Sequence, residues 1–242
     1  VVRARTLSIA AGCGVAARVE LAGSWGDASA LLEDHGSFEE ALGAAARAAG
    51  VDEVVADLGA EARRGSRFAD AWVVLANGEA EVAAFAAELR RIAPPKVAYA
   101  VNAEVRLARV PLARAAASAG EVRFQAGGPS RFARVALELR PLAPADAVEE
   151  AIACAYAPDE EIFPEVDFAG VARDRYVAAM FDGVAQAAKL AVAAGLPSSA
   201  LRATITGGFH HLVDSHPDDF ALAAGLAFRD AVRAAARAEG AA

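Results

Sequence analysis

From Asp167 to Gly195 the sequence reads DFAGVARDRYVAAMFDGVAQAAKLAVAAG. Its apolar residues Val177, Met180, Phe181, Val184, Ala188 and Ala191 fall at offsets 0, 3, 4, 7, 11 and 14. Only a helix brings such a set onto one face. Asp167 is the expected N-cap, and Gly195 with Pro197 the expected stop. Much of that face is alanine, which favours helix and loses no side-chain entropy on packing. The same bias runs through the chain, where hydrophobic residues make up 56% and aromatics only 7%. Numerous helices in close approach are therefore expected.

The first hundred residues alternate strand and helix signals. GVAARVEL reads as a strand, and the polar residues of VAARVELAG argue against a signal peptide in the arginine-led N-terminal stretch. SFEEALGAAARAAG opens with the capping-box spacing of Ser37 and Glu40 and stops at Gly50. VDEVVADLG and DAWVVLANG are β-rich. EAEVAAFAAELRRI is a second helix, acidic at its start and basic at its end, broken by Pro94-Pro95, and KVAYAVNAEVRLARV returns extended. The order β-α-β-β-α-β is that of a ferredoxin-like domain.

In the second half, EVRFQAGGPSRFARVALELRPL reads as two strands around a Gly-Gly-Pro loop. PADAVEEAIACAYAPDEEIFPEVDF reads as an irregular acidic surface loop. ALRATIT is a strand, Gly207 and Gly208 turn the chain, and HHLV is a candidate further strand. A last helix starts near Ser215 and should bury Phe220, Ala224, Ala227, Phe228 and Ala231. The boundary falls near residues 95–118, which gives domains at 1–100 and 101–242.

Net charge is −8. That balance opposes non-specific nucleic-acid binding, though a local basic tip remains compatible with it. Cys13 and Cys154 are far apart and form no CxxC, so a four-cysteine zinc site is excluded; the usage suits a reducing cytoplasm, and a single disulfide stays open. No apolar run reaches the roughly 20 residues that cross a bilayer, so no membrane partner is expected. The chain opens on Val1 rather than methionine, which fits a trimmed chain or one part of something larger.

TITGGFHHLVDSHPDDF carries three of the four histidines. His210, His211, Asp214 and His216 have the donor chemistry of a zinc or iron site. Their spacing is poor, because consecutive histidines in extended backbone point to opposite sides and no HExxH is present. A structural reading covers more of the segment: Ser215 caps the last helix, Pro217 starts it, Asp218 and Asp219 sit in its first turn, and Asp214 braces the turn. His211 is left without a structural task. The serines and Cys154 form no GxSxG elbow or triad order, so no catalytic set is expected.

The segment from Thr204 to Val232 is similar to the hallmark of domain IV in translation elongation factor G. There a strand ends in an Asp-Gly-x-x-His-x-Val-Asp-Ser turn before an Ala/Phe-rich helix. Gly208, His211, Val213, Asp214, Ser215, Phe220, Ala223, Ala227, Phe228, Arg229, Asp230 and Ala231 carry the match. YVAAMFDGV resembles the family's preceding helix through Tyr176, Val177, Ala179 and Gly183. VRFQAGGPSRFARVALELRPL resembles its strand-loop-strand through Gln125, Gly127, Gly128, Phe132, Val135, Pro141 and Leu142. WVVLANGEAEVAAFAAELRRI is similar to a strand and helix of domain III through Gly78, Glu79, Leu89 and Arg90.

The resemblance implies an α+β chain, in which a ferredoxin-like domain precedes an α/β domain like domain 2 of ribosomal protein S5. It also implies a ribosome- or RNA-contacting tip made by Gly127, Gly128, Arg131 and Arg134 on one loop and His210, His211 and Asp214 on the other. A cytoplasmic, non-catalytic wedge without a cofactor is the corresponding expectation. Three departures weigh against simple equivalence. No GxxxxGK[ST] is present, so GTP hydrolysis would come from elsewhere. Pro129-Ser130-Arg131 replaces the family's Arg-Gly-Gln-Tyr-Gly run, and Gly207 stands where the family has aspartate. A scaffold reused for protein or small-molecule binding is the competing expectation, and a metal-dependent hydrolase the third.

Overall fold

The computed structural model describes residues 4–8, 14–21, 28–51, 53–57, 71–95, 97–102, 105–106, 110–124, 130–143, 151–159, 162, 171–211 and 214–240. They form twelve strands and four helices in two compact units. In chain order the elements are β1 (Ala4–Ser8), β2 (Val15–Leu21), α1 (Ala28–Ala49), β3 (Glu53–Asp57), β4 (Ala71–Ala76), α2 (Glu79–Ile92), β5 (Tyr99–Val101) and β6 (Val105–Arg106). Then come β7 (Val110–Pro111), β8 (Ala116–Phe124), β9 (Arg131–Pro141), β10 (Ala151–Tyr156), α3 (Val171–Ala193), β11 (Pro197–Ser199), β12 (Leu201–Phe209) and α4 (Pro217–Gly240).

One unit holds β2 through β6 with both intervening helices. Its strands are ordered β3-β4-β2-β5, all antiparallel, which is the ferredoxin-like arrangement. Inward residues of β2 (Val15, Ala17, Val19) and β4 (Trp72, Val74, Ala76) meet Phe38, Leu42 and Ala45 of α1 and Val82, Phe85 and Leu89 of α2. Phe38 anchors the centre, edge-on to Trp72 at 5.4 Å. Helix α1 begins at Ala28, well before the expected capping box, and Ser37 is an exposed residue inside it. ASALLEDH carries enough helix-favouring residues to propagate past Gly36. The stop at Gly50 is as expected: φ is +70°, with Val51 N–H donating to Ala46 O at 3.0 Å.

The second unit holds the remaining elements, including the N-terminal strand. Its main sheet is ordered β1-β10-β12-β9-β8. After β8, β9 and β10 the chain runs α3-β11-β12-α4, with short β11 paired to β7 outside the main sheet and β12 parallel to β10, the S5-domain-2-like succession. Two sequence expectations are corrected here. Residues 151–156 are not loop but a strand in mid-sheet, with Ile152, Cys154 and Tyr156 turned inward at period two. Gly207 and Gly208 do not turn the chain; they lie inside β12. His210 and His211 are outside any strand, and the N-cap expected at Asp167 lies outside the described residues.

Helices α3 and α4 supply Val177, Met180, Phe181, Val184, Phe220, Ala224, Ala227, Phe228 and Ala231 to the core, all buried as expected. Small residues set how near these layers come. A Cβ on Gly183 would lie 1.9 Å from Ala221 O, and one on Gly120 of β8 would lie 2.0 Å from Ala223 O. Ser118 Oγ of β8 donates to Ala227 O of α4 at 3.0 Å, tying strand to helix. No helix among the described residues is long and apolar enough to cross a membrane.

Candidate functional site

At one end of the second unit's sheet, the start of β9 meets the turn between β12 and α4. The turn is fixed by one hydroxyl. Ser215 Oγ accepts from His211 N–H at 2.8 Å and donates to Phe132 O at 2.6 Å. Phe132 N–H donates to Asp214 O at 2.9 Å, and Tyr176 Oη–H donates to Ser215 O at 3.1 Å. Ser215 is therefore not the expected helix cap. It is a buried brace between two segments, and α4 starts at Pro217 with Asp219 and Phe220 N–H donating to His216 O. Ser215→Ala removes the partner of the part-buried His211 N–H and of Phe132 O. Losing these two hydrogen bonds should cost about 1–3 kcal/mol, read by urea unfolding, with faster amide exchange at His211.

The expectation of Arg131 at the tip surface is corrected. Arg131 is buried, and its guanidinium pairs with the fully buried Asp219 in the first turn of α4. That is a structural ion pair joining β9 to α4. Arg134, further along β9 and of opposite parity, is exposed. Gly127 and Gly128 lie outside the described residues.

His211 is about half exposed, and its Nδ1 lies 3.1 Å from Asp214 Oδ2. The carboxylate orients the ring. His210 is half-buried; burial first, and then the neighbouring His211, pull its pKa below the ordinary value, so it is neutral near pH 7. Among the described residues no group of three or more His, Cys, Asp or Glu side chains converges as metal ligation requires. The alternative of a metal on His210, His211, Asp214 and His216 thus has no geometric support. The Cys154 thiol is free and buried, its pKa pushed up to about 12 by desolvation, which makes it an inert packing residue at neutral pH.

Sequence reasoning missed Phe209. It is 57% exposed, the one large hydrophobic residue so exposed among those described. A β-bulge causes this. Leu201 through Ile205 pair with Pro141 through Leu137 in regular register, but Gly207 then pairs with Ala136, which leaves Thr206 as an extra residue. The slip reverses the facing of the residues after it. Phe209, which would share the inward face of Leu201, Ala203 and Ile205, is instead opposite the outward Arg134. The bulge's carbonyl is satisfied, since Asp159 N–H donates to Thr206 O at 3.0 Å. No sequence signal beyond the Gly-Gly pair marks this slip.

No family model matches the chain. Elongation factor G of Fervidobacterium nodosum is 27% identical over 144 residues, covering 59% of this chain and 17% of its own length. Elongation factor G of Pseudothermotoga lettingae is 28% identical over 143 residues, with shares of 59% and 18%. The chain thus spans less than a fifth of the length of these relatives. A solved structure of a Thermus thermophilus protein is 22% identical, covering 92% of this chain and 28% of its own, at a TM-score of 0.40. Over the stretch that they share, the chain resembles translation elongation factor G.

Proposed function

We propose that the second unit is a rigid, non-catalytic wedge that contacts ribosomal RNA through the tip where the β12–α4 turn meets the start of β9. The observation carrying this is the Ser215 brace, which fixes the His211–Asp214 turn against Phe132, two residues before exposed Arg134 on β9. A turn held on both sides by hydrogen bonds inserts with little reordering, so binding forfeits less conformational entropy. Likeness to elongation factor G supports a translation-factor setting in the cytoplasm. Any accompanying GTP hydrolysis then belongs to another polypeptide or to another part of a longer chain.

The test is co-sedimentation with purified ribosomal subunits at low and moderate salt. The expected result is salt-sensitive binding that His211→Ala with Arg134→Ala weakens, with a shallower salt dependence as phosphate contacts are lost. Equal pelleting of native and doubly substituted chains would refute the tip. A second reading, a scaffold reused for protein contact, draws on the withdrawal of Arg131 into the core and on the net charge of −8. It predicts no pelleting at either salt.

A further inference from the structure

The outward face of the β8-β9-β12 corner combines an aromatic pair with arginines. Phe209 stands edge-to-face with Phe132, ring centroids 5.5 Å apart and planes at 86°. The strand ladder places Arg134 directly opposite Phe209 and Arg123 directly opposite Phe132. Arg123 and Arg134 are both exposed. The two rows lie two residues apart along β9, about 7 Å, which is comparable to the advance of one nucleotide in an extended strand.

We infer that this corner is a stacking platform for an unpaired RNA base, with Phe209 as its floor and Arg123 and Arg134 holding the flanking phosphates. This deepens the tip reading and rests on it, naming the form of RNA that the tip takes. Three observations carry it. First, a large aromatic gains stability when buried, yet the Thr206 bulge turns Phe209 outward while the neighbouring ladder stays paired. Second, its surroundings are cationic rather than apolar. A protein-docking hot spot sits within a wider hydrophobic patch, whereas the one apolar neighbour of Phe209 in the ladder is Phe132, and the exposed side chains flanking the pair are Arg123 and Arg134. An exposed aromatic on a positively charged strand surface is how sheets bind single-stranded nucleic acid. Third, Phe132 props the ring edge-on, and Phe132 itself is clamped through both backbone groups to Asp214 and Ser215. The platform and the tip turn are thus one rigid piece. Glu121 is the exposed acid in this row, opposite Arg134 on the other side. It lowers the local positive charge without reversing it.

The experiment uses the intact chain and an RNA octamer without self-complementarity, carrying 2-aminopurine at its centre, either single-stranded or annealed to its complement. The expected result is preferential binding of the single strand, with the 2-aminopurine fluorescence quenched by stacking. Phe209→Leu, which keeps an apolar side chain but removes the ring, should weaken that binding about 5- to 100-fold, and Phe209→Tyr should restore it. Because Phe209 is exposed, circular dichroism should be unchanged in both variants.

Several outcomes would overturn the inference. Phe209→Leu binding within twofold of native, or equal binding of duplex, removes stacking. If Arg134→Ala with His211→Ala still weakens ribosome pelleting in that case, the tip reading stands and only the platform falls. Absence of both RNA binding and ribosome pelleting defeats the two together. A self-association on size exclusion that Phe209→Leu abolishes, with no RNA bound, assigns the corner to protein contact instead.

Discussion

Arg131→Ala should cost about 3–5 kcal/mol of unfolding free energy, enough to melt the second unit of a marginal protein near physiological temperature. The effect comes less from the lost attraction than from what remains. Asp219 has no exposed surface, so removing the guanidinium strands a buried carboxylate. Urea unfolding and hydrogen exchange at the amides of β9 and α4 would measure the loss. The discriminating companion is Arg131→Met with Asp219→Leu. Removing both charges together leaves no stranded carboxylate and should recover much of the stability, since an apolar replacement for a buried ion pair is often neutral or better. A surface role for Arg131 predicts the opposite pattern: a negligible stability change and weakened RNA binding.

The second large effect is expected at Gly183. Its Cα faces the backbone of α4, and an added methyl would sit 1.9 Å from Ala221 O, 2.6 Å from the carbonyl carbon and 2.8 Å from the Cα. These are backbone atoms, so no side-chain rotation relieves the clash; one helix must slide or tilt away. Overpacking typically costs about 1–3 kcal/mol, and Gly183→Ala belongs at or above the top of that range. Alanine's better helix propensity returns only about 1 kcal/mol. Thermal unfolding should therefore show a lowered Tm despite a substitution that favours helix in isolation. An unchanged or raised Tm would mean that α3 and α4 are further apart than this.

Helices and most strands are legible in the sequence because their periodicity is local. The α3 stripe and the bounds of α2 are determined by spacing and by Gly and Pro stops. Strand β10 is not, because a six-residue run of small apolar residues inside an acidic stretch gives too short a signal. Arg131 is readable in principle. Ala133, Val135, Leu137 and Leu139 share its parity along β9 and all face inward, so carrying the alternation two residues back buries Arg131 and demands an acid opposite. The neighbouring loop glycines obscure that parity. Phe209 is not readable, because parity is the wrong guide across a bulge: its facing depends on where β12 slips against β9, a relation between two segments some seventy residues apart. The Ser215 brace is hidden for a related reason. A serine before a helix is ordinarily a cap, and only the presence of Phe132 O nearby gives it another partner.

The placement of β1 bears on the order in which the sheet can complete itself during synthesis. Ala4–Ser8 leaves the ribosome roughly 150 residues ahead of its partner on the sheet, Ala151–Tyr156. At about 5–20 residues per second, that strand waits some 7–30 seconds while the whole ferredoxin-like unit emerges and folds between them. Sealing the sheet's β10 edge is thus a late, long-range event, and until it happens both strands offer open backbone to any neighbour.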